Sequence, residues 1–214
     1  MENLVEVKYA QTGESTKTNS LGMREMQQRA YAYRDAQYIL LKAPPASGKS
    51  RALMFIALDK LKNQGIKKVI VAVPEQSIAS SFKETELKKF GFFADWIVDS
   101  RYNLCRGGSD NGKGKIKTFR EFMEDPYSKI LLCTHATLRF ACDGLEYSKF
   151  NDTLLAIDEF HHVSADSENN RLGEIVHGLM AQSTAHILAM TGSYFRGDCI
   201  PVLLPEDEEK FSRI

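Results

Sequence analysis

The sequence has no apolar run approaching the ~20 residues needed to span a bilayer, and its first residues, Met1-Glu2-Asn3, open no signal peptide. No charge of either sign dominates: 28 Lys and Arg stand against 28 Asp and Glu. A whole-molecule field that would gather a polyanion is therefore excluded, and nucleic-acid binding would have to come from local patches. The four cysteines (Cys105, Cys133, Cys142, Cys199) are scattered and form no C-x-x-C pair, which speaks against a disulfide scaffold or a zinc site and for a reduced, cytoplasmic setting. What is present is the composition of an ordinary globular protein, with 43% hydrophobic and 26% charged residues, and 214 residues leave room for one α/β domain.

Residues 1–20 are polar and aperiodic and read as a flexible lead-in. Short continuous apolar runs then recur: YILL (38–41), KVIVAV (68–73), KILLC (129–133), TLLAI (153–157) and AHILAM (185–190). Helical patterns separate them, from Leu21, over RALMFIALDKL (51–61), from about Ser77 to Phe90, and along Leu172, Ile175, Val176, Leu179 and Met180. Strands that are apolar throughout, alternating with helices, predict a mostly parallel sheet covered on both faces. The stretch 101–120 stands apart, with six basic residues against one Asp around a Gly-rich turn. It reads either as a solvated surface loop or hairpin, or as a basic contact surface.

Between the first strand and the helix after it lies Ala43-Pro-Pro-Ala-Ser-Gly48-Lys49-Ser50, a phosphate-loop pattern with Ala in place of the first Gly. Pro44 and Pro45 lack N–H groups but sit at the loop entry. Ala46, Ser47, Gly48, Lys49 and Ser50 keep theirs, so a concave row of donors at a helix N-terminus remains. Lys49 would reach the terminal phosphates of ATP and Ser50 would ligate Mg²⁺. The competing reading is a Pro-rich turn with a solvated lysine. Farther on, LLAIDEFHH (154–162) runs an apolar strand into Asp158 and Glu159. The first carboxylate would place Mg²⁺ and the second would orient and deprotonate a water. The alternative is an acidic helix N-terminus. His161 and His162 lack the spaced partners of a metal site.

Four segments in this order resemble the first-lobe motifs of superfamily 2 helicases and translocases, the DExH-type motors related to restriction-enzyme motor subunits. MREMQQRA resembles the upstream glutamine motif, APPASGKS the phosphate loop, DEFHH the DExH box, and MTGSYFR (190–196) the motif that couples hydrolysis to lobe movement. VAVPEQS (71–77) and CTHATL (133–138) resemble the two motifs that touch the nucleic-acid backbone. The resemblance covers about residues 21–197. It implies a RecA-like three-layer lobe over 21–205 with 101–120 inserted, and an acidic tail at 206–214 that starts a linker to a second lobe.

By the same resemblance Gln27 would contact adenine, and His161, Thr191 and Ser193 would relay the state of the γ-phosphate. Nucleic acid, DNA rather than RNA by likeness to restriction-type motors, would cross the opposite edge. It would pass over Pro74, Thr134 and His135, with Arg101, Arg106, Lys113 and Lys115 of the basic stretch. Three departures stand out: Ala46 replaces a loop glycine, Glu75-Gln76 stand where Thr-Arg is common, and Tyr194 replaces a proline. The expected whole is one lobe of a longer motor, weak in turnover without its second lobe. A small-molecule phosphotransferase and a nucleic-acid-binding module with a vestigial nucleotide site are the alternatives.

Overall fold

Six strands form one sheet in the order β3-β2-β4-β5-β1-β6, and every neighbouring pair runs parallel. The structure is a computed structural model that describes residues 18–106, 112–160, 171–192 and 205–214. Its strands are β1 (Tyr38–Lys42), β2 (Lys68–Val73), β3 (Ile130–Thr134), β4 (Thr153–Ile157), β5 (His186–Thr191) and β6 (Ser212–Arg213). The helices are α1 (Glu25–Ala32), α2 (Lys49–Asn63), α3 (Gly112–Glu124), α4 (His135–Ala141), α5 (Arg171–Gln182) and α6 (Pro205–Glu208).

Alternation along the strands sends side chains to two cores. Ile39, Leu41, Val69, Val71 and Val73 pack with α1, α2 and the segment from Ala79 to Val98. Leu40, Ile70 and Ala72 face the other way, against α3, α4 and α5. The three-layer α/β sandwich with a parallel sheet is therefore as the sequence predicts. Because all strands are parallel, their carboxyl ends share one edge, and the loops leaving that edge meet there.

Three local expectations are corrected. The helix expected over 77–90 is a 3₁₀ turn at Gln76–Phe82, followed by loop and a second turn at Lys88–Phe90. Trp96 explains the difference: fully buried, it pairs its backbone with Thr85 at 3.0 Å in both directions and donates its indole N–H to Phe82 O at 3.1 Å. Such a cross-link holds the chain extended where helical periodicity alone would wind it. The basic stretch is no hairpin, since its second half is the start of α3, with Phe119 and Phe122 buried.

The acidic tail, thirdly, belongs to the sheet. Lys42 N–H donates to Ile214 O at 2.9 Å and Ile214 N–H to Leu40 O at 3.0 Å, while Phe211 is buried beside Tyr38. Buried Asp207 anchors the segment, accepting from Lys210 Nζ at 2.9 Å and lying 2.5 Å from His177 Nδ1. Among the described residues, no helix is long and apolar enough to cross a membrane.

Candidate nucleotide site

β1 delivers the loop 43–48 to the carboxyl edge of the sheet, and α2 starts at Lys49. Ala46 and Gly48 both take left-handed backbone angles, φ 60° and 92°. Left-handed positions alternating with ordinary ones turn successive N–H groups inward and form an anion-binding nest. The first N–H groups of α2 have no preceding helical turn to bond, so they stay available to a phosphate. Among the described residues, the buried Ser47 hydroxyl has no hydrogen-bond partner. A polar atom stranded at such a loop fits a site completed by a ligand.

Lys49 is 7% exposed and donates to Ala43 O at 2.9 Å and Pro44 O at 3.1 Å. Its ammonium is thus held at the loop mouth by the carbonyls of the entry residues. The loop's proline-rich entry has this use: Pro44 offers an acceptor although it lacks a donor.

Two strands away, β4 ends at Ile157 and presents Asp158 and Glu159 at the same edge. Asp158 is buried, its N–H tied to Ala72 O at 2.9 Å, and burial, then the adjacent Glu159 charge, push its carboxyl up to about 6. A buried carboxylate that favours its proton is one that a divalent cation would stabilise in ionised form. Glu159 has φ 48°, rare for a residue with a Cβ, and this turn aims its side chain toward β5. There Gly192 N–H donates to Glu159 Oε2 at 3.2 Å. A Cβ at Gly192 would stand 3.4 Å from both Glu159 oxygens and 3.5 Å from Lys49 Nζ. The phosphate-loop lysine and the second carboxylate therefore meet over one bare stretch of backbone.

Gln27 is 2% exposed in α1. Its Oε1 accepts from Arg24 N–H at 2.8 Å and its Nε2 donates to Gly48 O at 3.2 Å, so it braces the helix cap of the loop. Thr191 ends β5, buried, and accepts from Ala43 N–H at 3.2 Å. His161 and Ser193 lie outside the described residues.

A family model for DEAD/DEAH box helicases matches residues 24–197. The chain belongs to that family. As a helicase-type ATP-binding domain it has relatives at several distances. The Bacillus subtilis (strain 168) protein named "Putative ATP-dependent helicase YeeB" is 61% identical over 214 residues, all of this chain but 35% of that protein. The chain thus spans about a third of the length of the curated relative it matches. Among solved structures, the Hef helicase domain of Pyrococcus furiosus matches with TM-score 0.56 at 17% identity, over 88% of this chain and 35% of that one. The UvsW helicase of bacteriophage T4 gives 0.55 at 16%, over 89% and 58%. Mycobacterium smegmatis helicase Lhr gives 0.53 at 18%, over 78% and 22%. At these identities the likeness is one of fold.

The remaining expected residues of this helicase domain lie at the carboxyl edge or beyond it on the β3 side. Pro74 follows β2, and Thr134 caps α4 by accepting from Thr137 N–H at 3.2 Å. They share the edge with the phosphate loop rather than taking the opposite one, displaced sideways by the strand order. His135 turns inward, its Nε2 3.0 Å from Asp158 O, so it touches the carboxylate turn. Arg101 pairs with Glu121 at 3.0 Å, Arg106 and Lys113 are exposed, and Lys115 is half-buried on α3.

Gly192 was missed by sequence reasoning, which looked for side chains in MTGSYFR. The signal was the glycine beside Thr191, a backbone donor that composition-based reading passes over.

Proposed function

We propose that this chain is the ATP-binding first lobe of a nucleic-acid-dependent ATPase motor. The observation that carries the reading is the meeting of Lys49 and Glu159 at Gly192, beside the left-handed loop at 46–48. Loop amides and Lys49 would hold the phosphates of ATP, and Ser50 and Asp158 would hold Mg²⁺. The metal, when bound, neutralises charge developing on the phosphoryl oxygens. Glu159, held by Gly192 N–H, orients a water and accepts its proton. Gln27 presents its amide to the adenine from its seat on Gly48 O. Thr191, tied to Ala43, and His135, tied to the Asp158 carbonyl, link the site to the neighbouring loops.

Nucleic acid crosses the β3 side of the same edge, over Pro74 and Thr134, with Arg106 and Lys113 adding phosphate contacts. The Lhr structure is of a complex with ssDNA and AMP-PNP, which supports single-stranded DNA as the first substrate to test. The greater length of the Bacillus relative supports a second RecA-like lobe that completes the cleft. A donated arginine is worth ~10³–10⁵ in rate, so this lobe alone should turn over slowly. The buried free thiols Cys105, Cys133 and Cys142 suit a reducing cytoplasm.

Calorimetric titration of Mg-ATP into wild type and Lys49→Ala tests the reading. Wild type should bind and the variant should lose about tenfold or more in affinity. Equal affinities would reject it.

A further inference from the structure

The amino edge of the sheet, opposite the nucleotide loop, carries a groove of about 640 Å³. Its floor is apolar: Leu58 and Leu61 come from α2, Ile66 from the turn into β2, and Phe93 and Ala94 from the loop after Lys88–Phe90. Phe93 is fixed from below, its ring centroid 4.3 Å from that of buried Phe92. Gly65 turns the chain at φ 73°, and a Cβ there would meet nothing within 4 Å, so the groove is open at that end. β2 starts at Lys68 and runs six residues to the carboxyl edge. About 20 Å of strand therefore separates the groove from the edge that holds the nucleotide loop.

Three exposed cations, Lys62, Lys67 and Lys129, rim this floor. Lys62 Nζ lies 4.2 Å from the Phe93 centroid. Lys67 pairs with Asp152 at 2.7 Å, whereas among the described residues Lys62 and Lys129 have no carboxylate partner. The acids of the neighbouring loops are engaged elsewhere. Asp95 accepts from Lys88 N–H at 2.8 Å, and Asp125 from the Tyr102 hydroxyl at 2.8 Å and Tyr127 N–H at 2.9 Å. Among the described residues no carboxylate lines the groove. The loops that supply Phe93 and Lys129 also leave Ile97 63% and Tyr127 87% exposed. Apolar surface of this kind, rimmed by charge of one sign, marks a contact surface.

We propose that this groove docks an acidic, amphipathic segment of a partner protein, with apolar side chains on Leu61 and Phe93 and carboxylates against Lys62 and Lys129. Charge complementarity identifies the occupant. A nucleic-acid backbone would pair with the lysines and leave the apolar floor uncovered. A neutral apolar segment would cover the floor and desolvate ammonium groups without giving them partners. An acidic segment with interleaved apolar residues does both. Bound at the amino edge, it leaves the nucleotide edge of the sheet free.

A display library of random peptides is selected on the full chain, with Lys62→Glu/Lys129→Glu as the counter-selection. Enriched peptides are then titrated into wild type, the double variant and Phe93→Ala, with melting curves as a control on folding. The enriched peptides should interleave apolar residues with Asp and Glu, and should bind the double variant and Phe93→Ala about tenfold or more weakly. Replacing their acids by Asn and Gln should cost as much. A library that yields no binder, binders without acids, or binders that hold the double variant as tightly as wild type would each overturn the docking site. Phosphatidylglycerol vesicles that bind wild type but not the double variant, with no peptide enriched, would assign the groove to an anionic lipid surface instead. Mg-ATP affinity should be equal in all three chains, so failure here leaves the nucleotide reading standing.

Discussion

Lys60 Nζ lies 2.8 Å from His186 Nδ1, joining α2 to the first residue of β5 at the end of the sheet away from the nucleotide loop. The buried ammonium also donates to Ala36 O at 2.8 Å and Gln64 Oε1 at 3.1 Å. An imidazole that accepts from an ammonium has to be neutral. Burial first, and Lys60 second, hold His186 down at about 4 from its ordinary 6.5, against a smaller opposing pull from Asp152.

That arrangement sets a pH dependence. Between pH 6.5 and 4 the unfolded chain takes up a proton at His186 that the folded chain refuses. Stability from this group is complete above about 6.5 and is lost as pH falls toward 4. Urea unfolding at pH 7 and pH 5 should show wild type losing on the order of 1 kcal/mol more than His186→Asn, the half-exposed ring limiting the effect. Equal losses in both proteins would refute the assignment.

Glu159→Gln should separate binding from turnover. Glutamine keeps an oxygen to accept from Gly192 N–H, so ATP affinity should stay within about threefold of wild type, while any hydrolysis should fall by ~10² or more. Measured steady-state phosphate release unchanged by the substitution would remove Glu159 from the chemistry.

Gly48→Ala should damage two sites at once. The added Cβ would stand 2.5 Å from Gln27 Nε2, and the residue would remain at φ 92°. Backbone strain of this kind costs about 1–3 kcal/mol, or a fall of roughly 2–12 °C in Tm for a chain this size. ATP binding should weaken alongside. A variant with wild-type melting would show that the loop adopts another conformation.

Phe211→Ala tests how firmly residues 205–214 are packed into the domain. Phe211 is 5% exposed, and truncating a buried Phe costs about 3–5 kcal/mol. A loss below about 1 kcal/mol in denaturant unfolding would mean that the segment is only loosely attached.

The sequence by itself determined the layer architecture and the two poles of the site. Strands such as KVIVAV and TLLAI are apolar at every position, and only a sheet covered on both faces buries them. Gly48-Lys49-Ser50 and Asp158-Glu159 were legible because the first ends the short loop between a strand and a helix and the second follows a strand directly, so their chemistry is local in the chain. Tertiary structure alone decided how these poles meet. Strand order put β5 beside both β1 and β4, and so brought Gly192 to Lys49 and Glu159. It also turned His135 onto the carboxylate turn, folded the acidic tail into the sheet beside β1, and set Phe90 against Arg51. Each of those contacts joins segments distant in the chain, through a backbone N–H or an apolar ring with no sequence pattern of its own. Periodicity and motif spacing describe neighbours along the chain; only packing specifies neighbours across it.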